Sequence, residues 1–153
     1  MISDAYEELR KKYKHLPAFE EMDHDFEIST LESEKFLLRA VKKRMAERLD
    51  DISSTLGDII HPSSESIALM YEWRFFDPKE KKGIVALFRR VQYLLRAFCE
   101  ADLIQDDEND SRLIAEAHKA WKEVRKECLP LAKRIKEAWT RETEYKEDLG
   151  YLG

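Results

Sequence analysis

The last third of the chain carries an apolar stripe that keeps its helical spacing straight across a proline. Its residues recur at every third or fourth position on both sides of Pro130 without a change of phase, as on the buried face of one amphipathic helix. The stripe consists of Ile114, Ala117, Trp121, Val124, Cys128, Leu131, Ile135 and Ala138. A stripe in phase on both sides predicts one long helix bent at the proline, not two separate helices.

The position of Pro130 on this helix predicts that its ring faces water. At about 100° per residue, the proline falls nearly opposite the stripe. A proline inside a helix removes its hydrogen bond to the carbonyl four residues back, here Lys126, at a cost of roughly 3 kcal/mol. Water can satisfy that carbonyl on the outer face. The alternative is a new helix that begins at Pro130, and it needs Leu129, a poor N-cap, at its start.

Two further apolar stripes lie upstream, and each follows a helix start signal. Ser29-Thr30-Leu31-Glu32 fits a capping box and predicts a long helix over residues 29–60, stopped by Pro62. Asp77-Pro78-Lys79-Glu80 combines an N-cap, a proline at the first helical position and a glutamate at the third. It predicts a second long helix that fades around Leu103.

Shorter elements are expected around these helices. Residues 4–15 and 18–22 fit a short helix and a helical turn, and residues 23–28 read as a connector with Phe26 and Ile28 against the core. A further short helix over residues 65–76 would be capped by Ser63 or Ser64. The polar tail, residues 141–153, is expected to fray.

Composition supports the same fold class. The 153 residues are 43% hydrophobic and 39% charged, with only four glycines and four prolines, as is typical of long solvated helices. A chain of this length can bury about 70% of its unfolded surface in one core. We therefore predict an all-α single domain: a bundle of three long antiparallel helices plus two or three short ones, the last long helix kinked at Pro130.

Net charge and cysteine content indicate in which compartment we expect the protein and which partners it is poorly suited to bind. A net charge of -5 disfavours a main role in coating nucleic acid or anionic lipid. No apolar run approaches the roughly 18 residues that span a bilayer, and the start lacks signal-peptide features. Cys99 and Cys128 are expected to be free thiols, which fits a cytoplasmic protein. Side-chain amides are scarce beside abundant charged residues, a thermophile-like composition.

Three residue spacings resemble those of known metal-binding or catalytic sites, but none gives good evidence for such a site. Glu21 and His24 have the E-x-x-H spacing of di-iron bundles, but only one such motif is present. Asp106, Glu108 and Asp110 match the first ligand positions of an EF-hand loop, whose glycine and final glutamate are then missing. Arg10 to His15 and Arg112 to His118 have the R-x4-6-H spacing of HEPN-type ribonucleases, but chance alone supplies about one such spacing in a chain of this composition. No catalytic, cofactor-binding or metal-binding residues are therefore predicted, and no cofactor.

One helix face is the strongest candidate for binding a partner. Its cations recur every seven residues opposite the apolar stripe of the helix that Asp77 begins, with a tyrosine among them and further cations to the side. The candidate anion-binding or partner-binding face consists of Lys81, Lys82, Arg89, Arg90, Tyr93 and Arg96. It could bind phosphates, with the tyrosine stacking on a base, or an acidic protein. The alternative is a solvated face with intrachain ion pairs.

A cluster of aromatic residues is the second candidate. Tyr71, Trp73, Phe75 and Phe76 lie close together in one short helix, around which they cannot all face a single core. Either the segment is buried on several sides, or part of the cluster contacts another chain.

These patterns lead to hypotheses of different classes. The first is a non-enzymatic helical protein, an interaction or scaffold subunit of a homo- or hetero-oligomer, with itself or another protein as partner and no membrane. The alternative is a nucleic-acid-associated accessory protein that uses the basic face. An all-α enzyme with a charged site between helices stays open, because such sites assemble from scattered residues.

Overall fold

The computed structural model describes residues 1–140. In this part of the chain all regular structure is helical, which confirms the all-α prediction. The elements are α1 (Ile2–Lys12), α2 (Phe19–Phe26), a 3₁₀ turn (Ile28–Thr30), α3 (Leu37–Ile60), α4 (Ile67–Phe75), α5 (Pro78–Ile104) and α6 (Asp107–Ala138). The predicted tail over residues 141–153 lies outside the described residues.

Helix α6 continues through the proline without interruption. It is continuous from Asp107 to Ala138 with Pro130 inside it, so the alternative of a new helix at Pro130 is wrong. The proline is exposed, and all eight residues of the stripe are buried or half-buried. The continuous helix and the outward proline are thus confirmed, and the bend stays a prediction.

The predicted start of the first long helix is wrong. Helix α3 begins at Leu37, because the predicted capping-box residues form hydrogen bonds of a loop and not of a helix start. The Thr30 hydroxyl donates a hydrogen bond to the Glu27 carbonyl at 2.7 Å instead of accepting one from a helical N–H. The Arg44 guanidinium donates to the carbonyls of Phe26 and Glu27 at 2.9 and 2.8 Å. These bonds satisfy the backbone in a loop conformation, which competes with the helix.

The predicted connector before this loop is also partly helical. Helix α2 extends to Phe26, beyond the short turn that the sequence predicts, and Glu27 ends it in the left-handed conformation at φ 53°. Phe26 and Ile28 are fully buried, as predicted. Burial of the hydrophobic Phe26 explains why the helix continues: one more turn places the ring inside.

The two remaining helix starts had opposite outcomes. Helix α4 is capped by Ser66, whose hydroxyl accepts from the Leu69 amide at 3.3 Å, so the predicted caps Ser63 and Ser64 are wrong. The Asp77 cap is confirmed. The Asp77 carboxylate accepts from the Glu80 amide at 2.7 Å, and the Glu80 carboxylate accepts from the Asp77 amide at 3.2 Å, which is a complete capping box.

The chain divides into two compact units. The first unit comprises Met1–Asp51 and Tyr93–Lys122, and the second comprises Ile52–Gln92 and Glu123–Gly153, of which the structure describes the residues to Thr140. Each long helix therefore contributes to both units. Whether the units form the predicted single domain stays a prediction.

The first unit packs α1 and α2 against parts of the long helices. Its fully buried side chains include Tyr6, Met22, Met45 and Ile114. The Tyr6 hydroxyl donates to the Pro17 carbonyl at 2.8 Å, which satisfies its polar atom as burial requires. Burial raises the pKa of Tyr6.

An ionic cluster joins the three long helices within the first unit, with Lys42 and Asp110 buried and Asp102 69% exposed. The Lys42 ammonium on α3 lies 2.8 Å from an Asp102 oxygen on α5 and 2.9 Å from an Asp110 oxygen on α6. The side chains of Lys42 and Asp110 are only 3% and 2% exposed. Burial opposes the charged form, but the hydrogen bond to Asp102 and the negative charge of Asp110 outweigh it and raise the pKa of Lys42. The sequence had given no sign of this cluster.

In the second unit, α5 runs antiparallel to both other long helices. Ser53 hydrogen-bonds Gln92, and Gly57 faces the Phe88 ring one turn further along α3. Helices α5 and α6 are also antiparallel, because residues later in α5 pair with residues earlier in α6, as the ion pairs described below show. The antiparallel arrangement predicted for the long helices is therefore found here.

Within residues 1–140, no helix combines the length and the apolar character needed to cross a membrane. Cys99 is exposed and Cys128 half-buried, and both are free thiols, as predicted.

Replacing Lys42 should strongly destabilise the protein. In Lys42→Met, the buried Asp110 carboxylate would lose its cationic partner, and stranding one charge of a buried pair costs about 3 kcal/mol or more. Urea unfolding should show this loss, whereas Lys43→Met, at the exposed neighbour, should change stability little. Adding Asp110→Asn to Lys42→Met should recover part of the loss. A Lys42→Met variant as stable as the wild type would contradict this account of the cluster.

Replacing Pro130 should have the opposite effect. Because the ring is exposed inside a continuous helix, Pro130→Ala restores a backbone hydrogen bond and should raise the free energy of unfolding by up to about 3 kcal/mol. Ala132→Gly, at an exposed position of the same helix, should lower it by about 1 kcal/mol. If Pro130→Ala destabilises the protein, the ring contributes packing that its exposure does not show.

Candidate functional site

The structure exposes only part of the predicted basic face. In the second unit, Lys82 and Arg89 are exposed. Arg90 lies 2.5 Å from the Glu127 carboxylate on α6, and the Lys81 ammonium lies 4.6 Å from the centroid of the Trp73 ring. Two of these four cations are thus engaged by their own chain, as the alternative of a solvated face with intrachain pairs expects.

The other two members of that face belong to the first unit. Tyr93 is 76% exposed, and Arg96 is also exposed. An exposed phenol ring can stack on a base or insert into a protein interface, so Tyr93 keeps the role that the sequence suggests.

For two members of the aromatic cluster, the structure agrees with the first of its two alternatives, burial on several sides. Tyr71 and Phe76 are only 1% and 3% exposed. The Tyr71 hydroxyl donates to the Ala138 carbonyl, and its ring lies 4.6 Å from that of Trp139. Phe75, half-buried, contacts Phe76 edge-on at 5.9 Å. The cluster is buried on several sides within the second unit because α6 returns to cover it.

The metal-like spacings are used for other purposes. Glu21 pairs with Lys122 at 3.3 Å, while His24 contacts the Asp25 carboxylate at 3.0 Å. Asp106 accepts from the Asn109 amide at 3.0 Å, so it caps α6. Among residues 1–140, no group of three histidine, cysteine or acidic side chains could hold a metal ion.

Two histidine contacts deserve a catalytic test, and neither arranges a nucleophile with a base. The His15 Nε2 lies 2.7 Å from the Ser111 hydroxyl, which donates its one proton to the Glu108 carbonyl at 2.7 Å. The imidazole must therefore donate to Ser111 rather than accept from it, opposite to general-base activation. His118 and Asp25 form a buried pair at 3.1 Å that joins α6 to α2.

A groove of about 720 Å³ lies between α5 and α6 in the second unit. The α5 wall is formed by residues on one face of the helix over consecutive turns: Glu80, Gly83, Ile84 and Leu87. The α6 wall does the same: Glu123, Lys126, Glu127, Pro130, Leu131 and Arg134. Apolar side chains form the floor, with Leu131 half-buried and Ile84 and Leu87 almost fully buried, and charged side chains form the rim. This α5–α6 groove is of the size that binds ligands or side chains of a partner.

Ion pairs close both ends of the α5–α6 groove. Arg134 Nε lies 2.8 Å from the Glu80 carboxylate, and Arg90 contacts Glu127 at the other end. The hydrogen bond from Arg134 lowers the pKa of Glu80, and the same bond raises that of Arg134. The Arg134 guanidinium also lies 4.1 Å from the Phe75 ring centroid. These contacts fix the two walls against each other.

Gly83 is the position that keeps the groove open. A Cβ atom added there would meet no other atom within 4 Å, so no packing inside the chain requires a glycine. Glycine inside a helix costs about 1 kcal/mol relative to alanine. A costly residue with free space in front of it marks a place where another molecule can approach the helix closely.

Sequence reasoning missed this groove. Pro130 was recognised as an outward residue, but the surrounding α6 face of alternating charges looks like any solvated face. The available signal was Gly83, a glycine inside a well-capped helix. Its partner wall lies more than forty residues away, so spacing alone could not pair them.

The chain matches no protein-family model, no curated protein and no solved structure.

Proposed function

We propose that this chain is a non-enzymatic helical interaction subunit that docks an amphipathic helix of a protein in the α5–α6 groove. The observation that carries the proposal is the groove itself: an apolar floor of Ile84, Leu87 and Leu131, a charged rim, and an open glycine in one wall. An apolar centre with a polar rim is the anatomy of protein interfaces.

The shape of the groove favours a helix over a small molecule. Its walls are two antiparallel helices held at both ends by ion pairs, and a further helix laid along them would complete a bundle. The distance along α5 from Glu80 to Arg90 is ten residues, or about 15 Å. The occupant is therefore a helix of about three turns with apolar side chains on one face.

A lactam-bridged amphipathic peptide of about three turns is a suitable probe, since an unconstrained helix of that length is marginal in water. Labelled at one end, it should bind the wild-type protein in fluorescence anisotropy. Gly83→Leu fills the groove and should weaken binding about tenfold or more, equivalent to about 1.4 kcal/mol. Because leucine is the better helix former, this variant should unfold at the same or a higher temperature.

Ala86→Leu provides the matched control, since Ala86 is exposed on α5 and does not line the groove. It adds the same side chain and should leave peptide binding unchanged. The proposal fails if the wild type does not bind the peptide, or if Gly83→Leu binds it as tightly as Ala86→Leu does.

A second candidate function is association with nucleic acid through the outer face of α5. The exposure of the cations Lys82 and Arg89 within the second unit supports it. Binding to a single-stranded oligonucleotide should then weaken steeply with salt and fall further in Arg89→Ala. Binding that is absent at low salt, or equal in the wild type and Arg89→Ala, would contradict this candidate.

A further inference from the structure

The two walls of the α5–α6 groove are complementary to each other in charge. Along α5 the carboxylate Glu80 comes first and the cation Arg90 second, whereas along α6 the carboxylate Glu127 precedes the cation Arg134. Because the helices are antiparallel, each acid faces a base, as the two intrachain ion pairs show. The side chains of both pairs stay partly exposed, between 28% and 49%, so a second copy can contact the same charges.

From this complementarity we infer that a second copy of this chain fills the groove. The inference rests on the proposed function and names its partner. A two-fold axis parallel to the helices places α5 of one copy against α6 of the other, antiparallel and at the same height as within one chain. The groove faces of both copies then close a four-helix bundle in which every neighbour is antiparallel.

The charge balance of the rim favours a second copy over a strongly charged partner. The rim and its end pairs contain three carboxylates and three cations: Glu80, Glu123, Glu127, Arg90, Lys126 and Arg134. A balanced surface with both signs interspersed can complement itself, whereas an acidic or basic partner would need an excess of one sign.

The apolar residues fit the same arrangement. Since Glu80 is level with Arg134 and Arg90 with Glu127, Gly83 of one copy comes level with Leu131 of the other. The missing side chain at Gly83 leaves room for that leucine. A second copy also supplies its helices already folded, so it avoids the entropic cost of ordering a free three-turn segment.

The length of the groove sets the strength expected of the dimer. A contact that extends only about 15 Å along two helices buries less area than the roughly 800 Å² that each partner buries in a stable interface. We therefore expect a reversible dimer whose population rises with protein concentration, not an obligate one.

Sedimentation velocity over a wide range of concentration tests the inference. The wild type should shift from monomer towards dimer as concentration rises, and Ala86→Leu should behave in the same way. Gly83→Leu should stay monomeric at concentrations where Ala86→Leu dimerises, with an undiminished thermal unfolding temperature. A wild type that stays monomeric throughout, or a Gly83→Leu variant that dimerises as well as Ala86→Leu does, overturns the inference.

The peptide experiment separates this failure from that of the proposed function. If the wild type is monomeric but the bridged peptide still binds and Gly83→Leu abolishes that binding, the second copy is excluded while the helix-docking groove stands. If the peptide also fails to bind, both fall.

A charge swap tests the register. The double variant Arg90→Glu with Glu127→Arg keeps its ion pair within each chain and between two variant copies. In a mixture with wild-type protein, a mixed dimer would oppose like charges at this end of the groove on both sides, which is destabilising. Native mass spectrometry should therefore find mixed dimers below their statistical share, while a statistical share would overturn the proposed two-fold arrangement.

Discussion

The structure depends on the fact that α6 can bury only one of its sides. Its apolar stripe is covered along its length, and the opposite side is charged and carries the exposed Pro130. The proline is tolerated there because water can take the place of the missing hydrogen bond. Helix α5 is one-sided in the same way. Where the outer edges of these two helices meet in the second unit, apolar residues from the margin of each stripe line a groove.

Charged residues are buried in an ion pair in the first unit and form partly exposed ion pairs in the second. In the first unit, Lys42 and Asp110 are almost fully removed from water, so replacing either one would strand a buried charge. In the second unit, the pairs of Arg90 with Glu127 and of Arg134 with Glu80 stay partly exposed. Such pairs add little stability individually, but they select one register of α5 against α6. The same selectivity underlies the inference that a second copy is recognised.

Local signals predicted the fold well, and long-range contacts explain where they failed. The Asp77 cap and the stripe across Pro130 depend on residues a few positions apart, so the sequence was sufficient. The capping box at Ser29 lost to hydrogen bonds from Arg44, which no local rule anticipates. The sequence left the aromatic residues around Tyr71 open between burial and an interface, because their cover comes from α6, 67 positions away. The candidate groove stayed hidden for the same reason, although Gly83 was a usable sign.

The most direct test of the central claim is an isotope-filtered NOE measurement on a mixture of labelled and unlabelled protein, at a concentration where sedimentation shows dimer. The filter retains only contacts between different copies. The account predicts intermolecular NOEs between the α protons of Gly83 in one copy and the methyl groups of Leu131 in the other. A dimer that shows intermolecular NOEs only to residues outside the α5–α6 groove would contradict it.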